Sequence, residues 1–158
     1  MNCHPNLVHK TKLNGETSFH VAAKAGQFDV LLLFKANMED VARVRDKHGD
    51  TPLHCAVRNN HNLVDGDQEA LRLVNTAGES LLVVAIDLGL TPIADSIISA
   101  NPSTLDHKGN NGQTPLHRAL LSCNYVIVYK VLVEKPELII MEDGRGRNSL
   151  HYDQCFLG

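Results

Sequence analysis

The sequence predicts an all-α fold: a solenoid of stacked helix-turn-helix units joined by β-turn or hairpin loops. Three observations carry that expectation. A short glycine-centred motif recurs along the chain, a second marker keeps a fixed distance from it, and the residues between them follow helical spacing.

The motif is a Gly followed two residues later by Thr, Ser or Asn, then in most copies a Pro or Ser, an apolar residue and a His. Gly15 leads Thr17-Ser18-Phe19-His20, Gly49 leads Thr51-Pro52-Leu53-His54, and Gly78 leads Ser80-Leu81-Leu82-Val83. Gly112 leads Thr114-Pro115-Leu116-His117, and Gly146 leads Asn148-Ser149-Leu150-His151. The glycines are separated by 34, 29, 34 and 34 residues. Pro5, Pro102 and Pro136 stand ten residues before their glycines, with Glu39 and Gln68 in the matching places. Leu7, Val41, Leu71, Leu105 and Leu138 follow this second marker by two or three residues.

Each unit is readable in order. Glycine supports a tight turn that needs positive φ. Thr or Ser then caps a helix by accepting from an orphan N–H of the first turn, and Pro at the first helical position gives up a donor that had no partner. The spacing predicts first helices over Ser18–Ala25, Pro52–Asn59, Leu81–Leu88 and Pro115–Ser122. The small residues Ala22, Ala23, Ala56, Ala85 and Ala119 let helices approach closely. Gly26 and Gly89 mark the next turn, where Asn60 and Cys123 stand in the other copies; Asn tolerates a left-handed conformation and Cys does so poorly. More apolar second helices follow over Asp29–Lys35, Pro92–Ala100 and Tyr125–Glu134. The resulting organisation is 1–12, the tail of a truncated preceding repeat; 13–45, repeat 1; 46–74, repeat 2 with a shortened second helix; 75–108, a degenerate repeat 3; 109–142, repeat 4; and 143–158, an incomplete repeat 5.

The 29-residue step removes five residues between Asn60 and Gln68, about 1.4 turns of helix. The remnant His61-Asn62-Leu63-Val64-Asp65-Gly66-Asp67 supports about one turn, and Asp65-Gly66 is itself a turn signal. The end units lack a polar outer cap, so Leu150, Phe156 and Leu157 are expected to be partly exposed and to favour self-association.

At these residues the chain resembles the ankyrin-repeat family. The pattern G-x-T-P-L-H-x-A is complete in Gly49, Thr51, Pro52, Leu53, His54, Ala56 and in Gly112, Thr114, Pro115, Leu116, His117, Ala119. The resemblance implies a curved array whose short first helices line a concave face, whose loop tips project from one edge, and which binds another protein as a scaffold or adaptor without catalysis. It also implies that His20, His54, His117 and His151 hydrogen-bond to the Thr hydroxyl and neighbouring backbone, tying repeats together. A narrower resemblance, carried by Ala100-Asn101-Pro102, Lys135-Pro136-Glu137-Leu138 and Arg147-Asn148-Ser149-Leu150-His151-Tyr152, is to plant ankyrin proteins of the accelerated-cell-death membrane type. That implies the cytosolic part of a membrane-associated signalling or defence protein, although no hydrophobic membrane segment is present in the sequence. A truncated remnant without function is the remaining alternative.

Composition sets outer bounds. Net charge is −3 and pI near 6.3, against the basic stripe that a nucleic-acid or anionic-membrane binder requires. Cys3, Cys55, Cys123 and Cys155 are widely spaced with no C-x-x-C pair, which favours a reducing, cytoplasmic setting over a disulfide framework. No H-x-x-x-H or C-x-x-C spacing suggests a metal, no G-x-x-x-x-G-K suggests a phosphate loop, and no cofactor is expected. Partner contacts are expected at the polar loop-tip residues Lys47, His48, Asp50, Thr76, Glu79, Asn110, Asn111, Gln113, Arg145 and Arg147, because exposed loops on a rigid scaffold carry specificity.

Overall fold

A hydroxyl opens each short helix. The computed structural model describes residues 13–27, 42–62 and 69–152. Among them, helices α1 (Ser18–Lys24), α2 (Pro52–Arg58), α3 (Leu81–Asp87), α4 (Thr91–Ala100), α5 (Pro115–Leu121) and α6 (Tyr125–Glu134) follow in chain order. Thr17, Thr51, Ser80 and Thr114 hold extended N-cap conformations before the four seven-residue helices. Their oxygens stand over the first turn, where the N–H groups lack intrahelical partners. Pro52 and Pro115 occupy first-turn positions, where no N–H is missed. No strand forms among the described residues, only an isolated antiparallel bridge between Val74 and Ser80.

The four short helices end one residue before the sequence-based expectation, at Lys24, Arg58, Asp87 and Leu121. The physical reason lies two residues on. Gly26, Asn60, Gly89 and Cys123 all take left-handed φ, from 51° to 69°. The following amide then reaches back to an alanine carbonyl, as in Gln27 to Ala22 at 3.0 Å, His61 to Ala56 at 2.9 Å, Leu90 to Ala85 at 2.8 Å and Asn124 to Ala119 at 2.9 Å. This is a Schellman closure repeated four times. The small alanines therefore serve two purposes, close helix approach and a shared stop. Helix α4 begins at Thr91, one residue before Pro92, and α6 keeps the expected limits.

Pro102 and Pro136 start 3₁₀ turns, Pro102–Asp106 and Pro136–Ile140, and further turns cover Ala70–Arg72 and Ser149–Tyr152. Leu71, Leu105 and Leu138, the apolar residues of the second marker, all point into the core. Helix α3 is central, with every residue from Leu81 to Ile86 buried. It packs against α2, α4 and α5, while α4 and α6 pack against one another. One apolar core runs through Leu82, Ile86, Ile97, Leu105, Leu116, Ile127 and Val131, and a smaller cluster of Ala23, Cys55 and Ala56 joins α1 to α2. Burial of each large aliphatic side chain contributes about 1.5–3 kcal/mol. This layer-on-layer burial is what a single unit cannot supply alone.

The expected second helix over Asp29–Lys35, the shortened stretch from Leu63 onward, the tail at 1–12, and Phe156 and Leu157 lie outside the described residues. Leu150 is exposed as expected. Cys123 is disulfide-bonded, which departs from the reduced cysteines that the wide spacing predicts, whereas Cys55 is a free buried thiol whose pKa burial pushes up to about 11. No helix among the described residues is long and apolar enough to cross a membrane.

Candidate interaction surface

The loop tips are built from inward-turned carboxamides and carboxylates. Three residues before the glycine stand Asp46, Asn75 and Asp143. Asp46 Oδ1 accepts from the amides of His48 (2.8 Å) and Asp50 (3.0 Å), Asn75 Oδ1 from Ala77 and Glu79 (both 3.0 Å), and Asp143 Oδ1 from Arg145 (2.8 Å) and Arg147 (2.9 Å). Each loop is then closed by a backbone bond across the same span: Asp46 to Asp50 at 2.9 Å, Asn75 to Glu79 at 3.0 Å, and Asp143 to Arg147 at 2.8 Å. Gly109 holds the equivalent place in the fourth copy and keeps the backbone closure to Gln113, at 3.0 Å. Sequence reasoning passed over these Asx residues. Their fixed place three residues ahead of a turn glycine is the signal that reveals them.

Successive tips are tied by a ladder. Lys47 N–H donates to the Asn14 carbonyl at 3.1 Å, Thr76 N–H to His48 at 3.1 Å, and Gly144 N–H to Asn111 at 2.7 Å. At the remaining step the rung is a side chain, with Asn110 Nδ2 donating to the Ala77 carbonyl. The ladder requires glycine for a second reason besides φ. A Cβ on Gly49 would stand 2.6 Å from the Thr76 backbone nitrogen, and one on Gly112 would stand 2.6 Å from that of Gly144.

The imidazoles tie the helices to the neighbouring tips. His20 Nε2 lies 3.0 Å from the Asp50 carbonyl, His54 Nε2 3.2 Å from that of Glu79, and His117 Nε2 3.2 Å from that of Arg147. A carbonyl only accepts, so Nε2 carries the proton and Nδ1 is the acceptor. Nδ1 accepts from the N–H of Thr17 (3.1 Å), Thr51 (3.3 Å) and Thr114 (3.2 Å), and from their hydroxyls at 2.8–2.9 Å. Burial pulls the His54 and His117 pKa values below the ordinary imidazole value, against the opposing pull of the carbonyl bonds. His151 is exposed and its Nδ1 meets Asn148. In the degenerate third copy Val83 replaces the imidazole.

Of the loop-tip residues expected to meet a partner, Lys47, His48, Thr76, Asn110, Asn111 and Arg145 have exposed side chains. Thr76 also donates its hydroxyl to the His48 carbonyl. Asp50 departs from the expected exposure. It is 7% exposed, accepts from Asn75 Nδ2 at 2.9 Å and pairs with Arg58 at 3.1 Å. Glu79 is half-buried, and its other contacts are Arg58 at 2.8 Å and Asn75 Nδ2 at 2.9 Å. The Asn75 and Arg58 bonds hold its carboxyl below the usual range, against desolvation.

Gln113 and Arg147 converge on Tyr152. Gln113 Nε2 donates to the phenol at 2.9 Å, and the Arg147 guanidinium lies 4.6 Å from the ring centroid while pairing with Asp143 at 2.9 Å. The His117 ring meets Tyr152 edge-on at 5.0 Å. The Tyr152 hydroxyl and the Arg147 and Arg145 amides hold the Asp143 carboxyl well below its usual range. Arg118 links Gln113 (3.2 Å) to Asp87 (2.9 Å). Among the described residues, no group of three or more His, Cys, Asp or Glu side chains is arranged to hold a metal ion.

A family model described as "Ankyrin repeats (3 copies)" matches residues 1–66. The SMC5-SMC6 complex localization factor protein 1 of Bos taurus is 30% identical over 159 residues, covering 90% of this chain and 14% of that protein. The inactive serine/threonine-protein kinase TEX14 is 37% identical over 75 residues in Mus musculus and 36% over 77 in Bos taurus, each alignment covering 48% of this chain and 5% of the relative. This chain thus aligns with only a small fraction of the length of either mammalian relative.

Proposed function

This chain belongs to the ankyrin-repeat family, and from that premise we propose that it is a non-enzymatic scaffold holding a protein partner against its loop tips and the concave face of its short helices. The observation that carries the reading is the pairing of a fixed backbone with outward side chains. The tips are locked by Asx bonds and by the inter-repeat ladder, yet Lys47, His48, Asn111 and Arg145 stand exposed. Side chains on a preorganised frame bind with little ordering cost. A non-catalytic role is supported by the engagement of both ring nitrogens of His20, His54 and His117 in structural hydrogen bonds. It is also the general habit of the family.

The test is affinity capture with the chain as bait, followed by direct titration of the recovered protein. A Lys47→Glu/Arg145→Glu variant should fold normally and bind at least about tenfold more weakly. Unchanged affinity in that variant would remove the loop tips from the binding surface.

A further inference from the structure

A buried hydroxyl beside α3 lacks an acceptor. Thr17, Thr51 and Thr114 each give their hydroxyl hydrogen to the imidazole three residues on. Ser80 occupies the same place but has Val83 where that imidazole would be. Ser80 is 1% exposed, and its Oγ accepts from the Val83 amide at 3.3 Å. Among the described residues nothing accepts its O–H. A buried donor left so is uncommon and points to a missing partner.

Ser80 lines a cavity of about 250 Å³ where the turns Ala70–Arg72 and Pro102–Asp106 meet. Arg72, Lys108, His107 and Asp106 also line it. Arg72 and Lys108 are exposed, which places the mouth at the surface, and neither makes an ion pair among the described residues. Several other described cations are committed to carboxylates: Lys24 to Glu16, Arg58 to Asp50 and Glu79, Arg118 to Asp87, Lys130 to Asp95. The cavity's carboxylate, Asp106, is neutralised by Lys135. The cavity therefore carries a surplus of positive charge and an orphan donor, the complement of an oxyanion.

We propose that this cavity binds the phosphate monoester of a phosphorylated serine or threonine on a protein partner. The proposal rests on the scaffold reading above and supplies the chemistry of what is held. A dianion engages both cations, the guanidinium as a planar fork and the ammonium as a point charge. A carboxylate, with one charge and two oxygens, would match the two cations and the Ser80 donor less completely than a dianion with three.

The test uses amide NMR shifts of the full chain during titration with inorganic phosphate and with N-acetyl-phosphoserine amide, against potassium chloride at matched ionic strength. Both phosphates should produce saturable shifts at Arg72, Ser80 and residues 106–108. An Arg72→Gln/Lys108→Gln variant should retain its melting midpoint and bind at least about tenfold more weakly, while Lys130→Gln should bind unchanged. Shifts that match chloride, or that persist in the double variant, would overturn the site. Binding of inorganic phosphate without the phosphoserine derivative would mark an adventitious ion only and overturn the partner assignment. A protein captured through the tips with no phosphate response would sink this site alone. Phosphoserine binding by a chain that captures no protein would sink the scaffold reading alone.

Discussion

His107 donates from Nε2 to the carbonyl of Gly78 at 3.1 Å, and this bond reverses the direction in which neighbouring layers are tied. Elsewhere an imidazole on a short helix reaches forward to the next tip, as His54 reaches Glu79. Between the third and fourth copies the forward imidazole is absent, and a loop histidine reaches back instead. The two kinds of bond differ in burial. His54 is fully buried, and its loss orphans both the Thr51 amide and the Thr51 hydroxyl, whereas His107 is half-buried and water can replace it. His54→Ala should therefore cost about 1–3 kcal/mol and His107→Ala about 0.5–1.5 kcal/mol. Urea denaturation measures both, and a larger loss at His107 would contradict this ranking.

The buried imidazoles make stability depend on pH. Desolvation lowers the folded-state pKa of His54 and His117 below the ordinary imidazole value, so the neutral ring is favoured by the fold. Below that value the unfolded chain binds more protons than the folded chain, and stability falls as pH falls. The urea midpoint should be lower at about pH 5.5 than at about pH 7.5. A His54→Gln/His117→Gln variant should show a flatter profile. Asp143 acts in the same direction in a more acidic window. Its contribution is present above the ordinary aspartate value and is lost as its carboxylate protonates at lower pH.

Two glycines separate strain from contact. Gly89 has φ +69° with no atom within 4 Å of a built Cβ, whereas Gly49 has φ +73° with the Thr76 nitrogen at 2.6 Å. Gly89→Ala should cost about 1–2 kcal/mol, the left-handed penalty alone. Gly49→Ala should cost more, since it also displaces a ladder rung. Thermal melts of the two variants give the comparison, and equal losses would mean that the tips yield freely.

The outer face of α6 sets a fourth expectation. Tyr129 and Val133 are 74% and 62% exposed. Thirty-four residues earlier, the same register positions hold Asp95 and Ser99, which receive Lys130 of α6 itself. The surface that is polar and met by Lys130 in one layer is thus apolar and open in the next. The chain should self-associate reversibly as concentration rises, and Tyr129→Glu/Val133→Lys should suppress it. Sedimentation velocity over a concentration series decides this; a wild-type chain that stays monomeric throughout would refute it.

Much of the fold was legible because its signals are local. Gly49, Thr51, Pro52 and His54 lie within six residues, and each acts on the turn or first helical turn beside it. The stop at Asn60 and Cys123 followed from equivalence with Gly26 and Gly89, although a cysteine gives no hint of left-handed backbone by itself. The interaction surface was less legible. Asp50 reads as a polar tip residue, but its side chain is claimed by Arg58 and by Asn75, 25 residues away. His107 reads as a loop residue, and its acceptor, Gly78, is 29 residues distant. Such pairings depend on the stacking of whole layers, which no local window contains. The cavity at Arg72 and Lys108 was missed for the same reason, since its walls come from consecutive layers.

The Asx loops also set the sign of what a visitor meets. As a whole the molecule carries a net charge of −3 and should migrate as an anion in electrophoresis at neutral pH. Yet Asp46, Asp50 and Asp143 turn their carboxylates toward amides, a carboxamide and guanidinium groups of the chain itself. Lys47, His48 and Arg145 are left outermost. The outermost side chains of the rim are basic on an anionic body, so bulk charge and ion-exchange behaviour mislead about what a ligand first meets there.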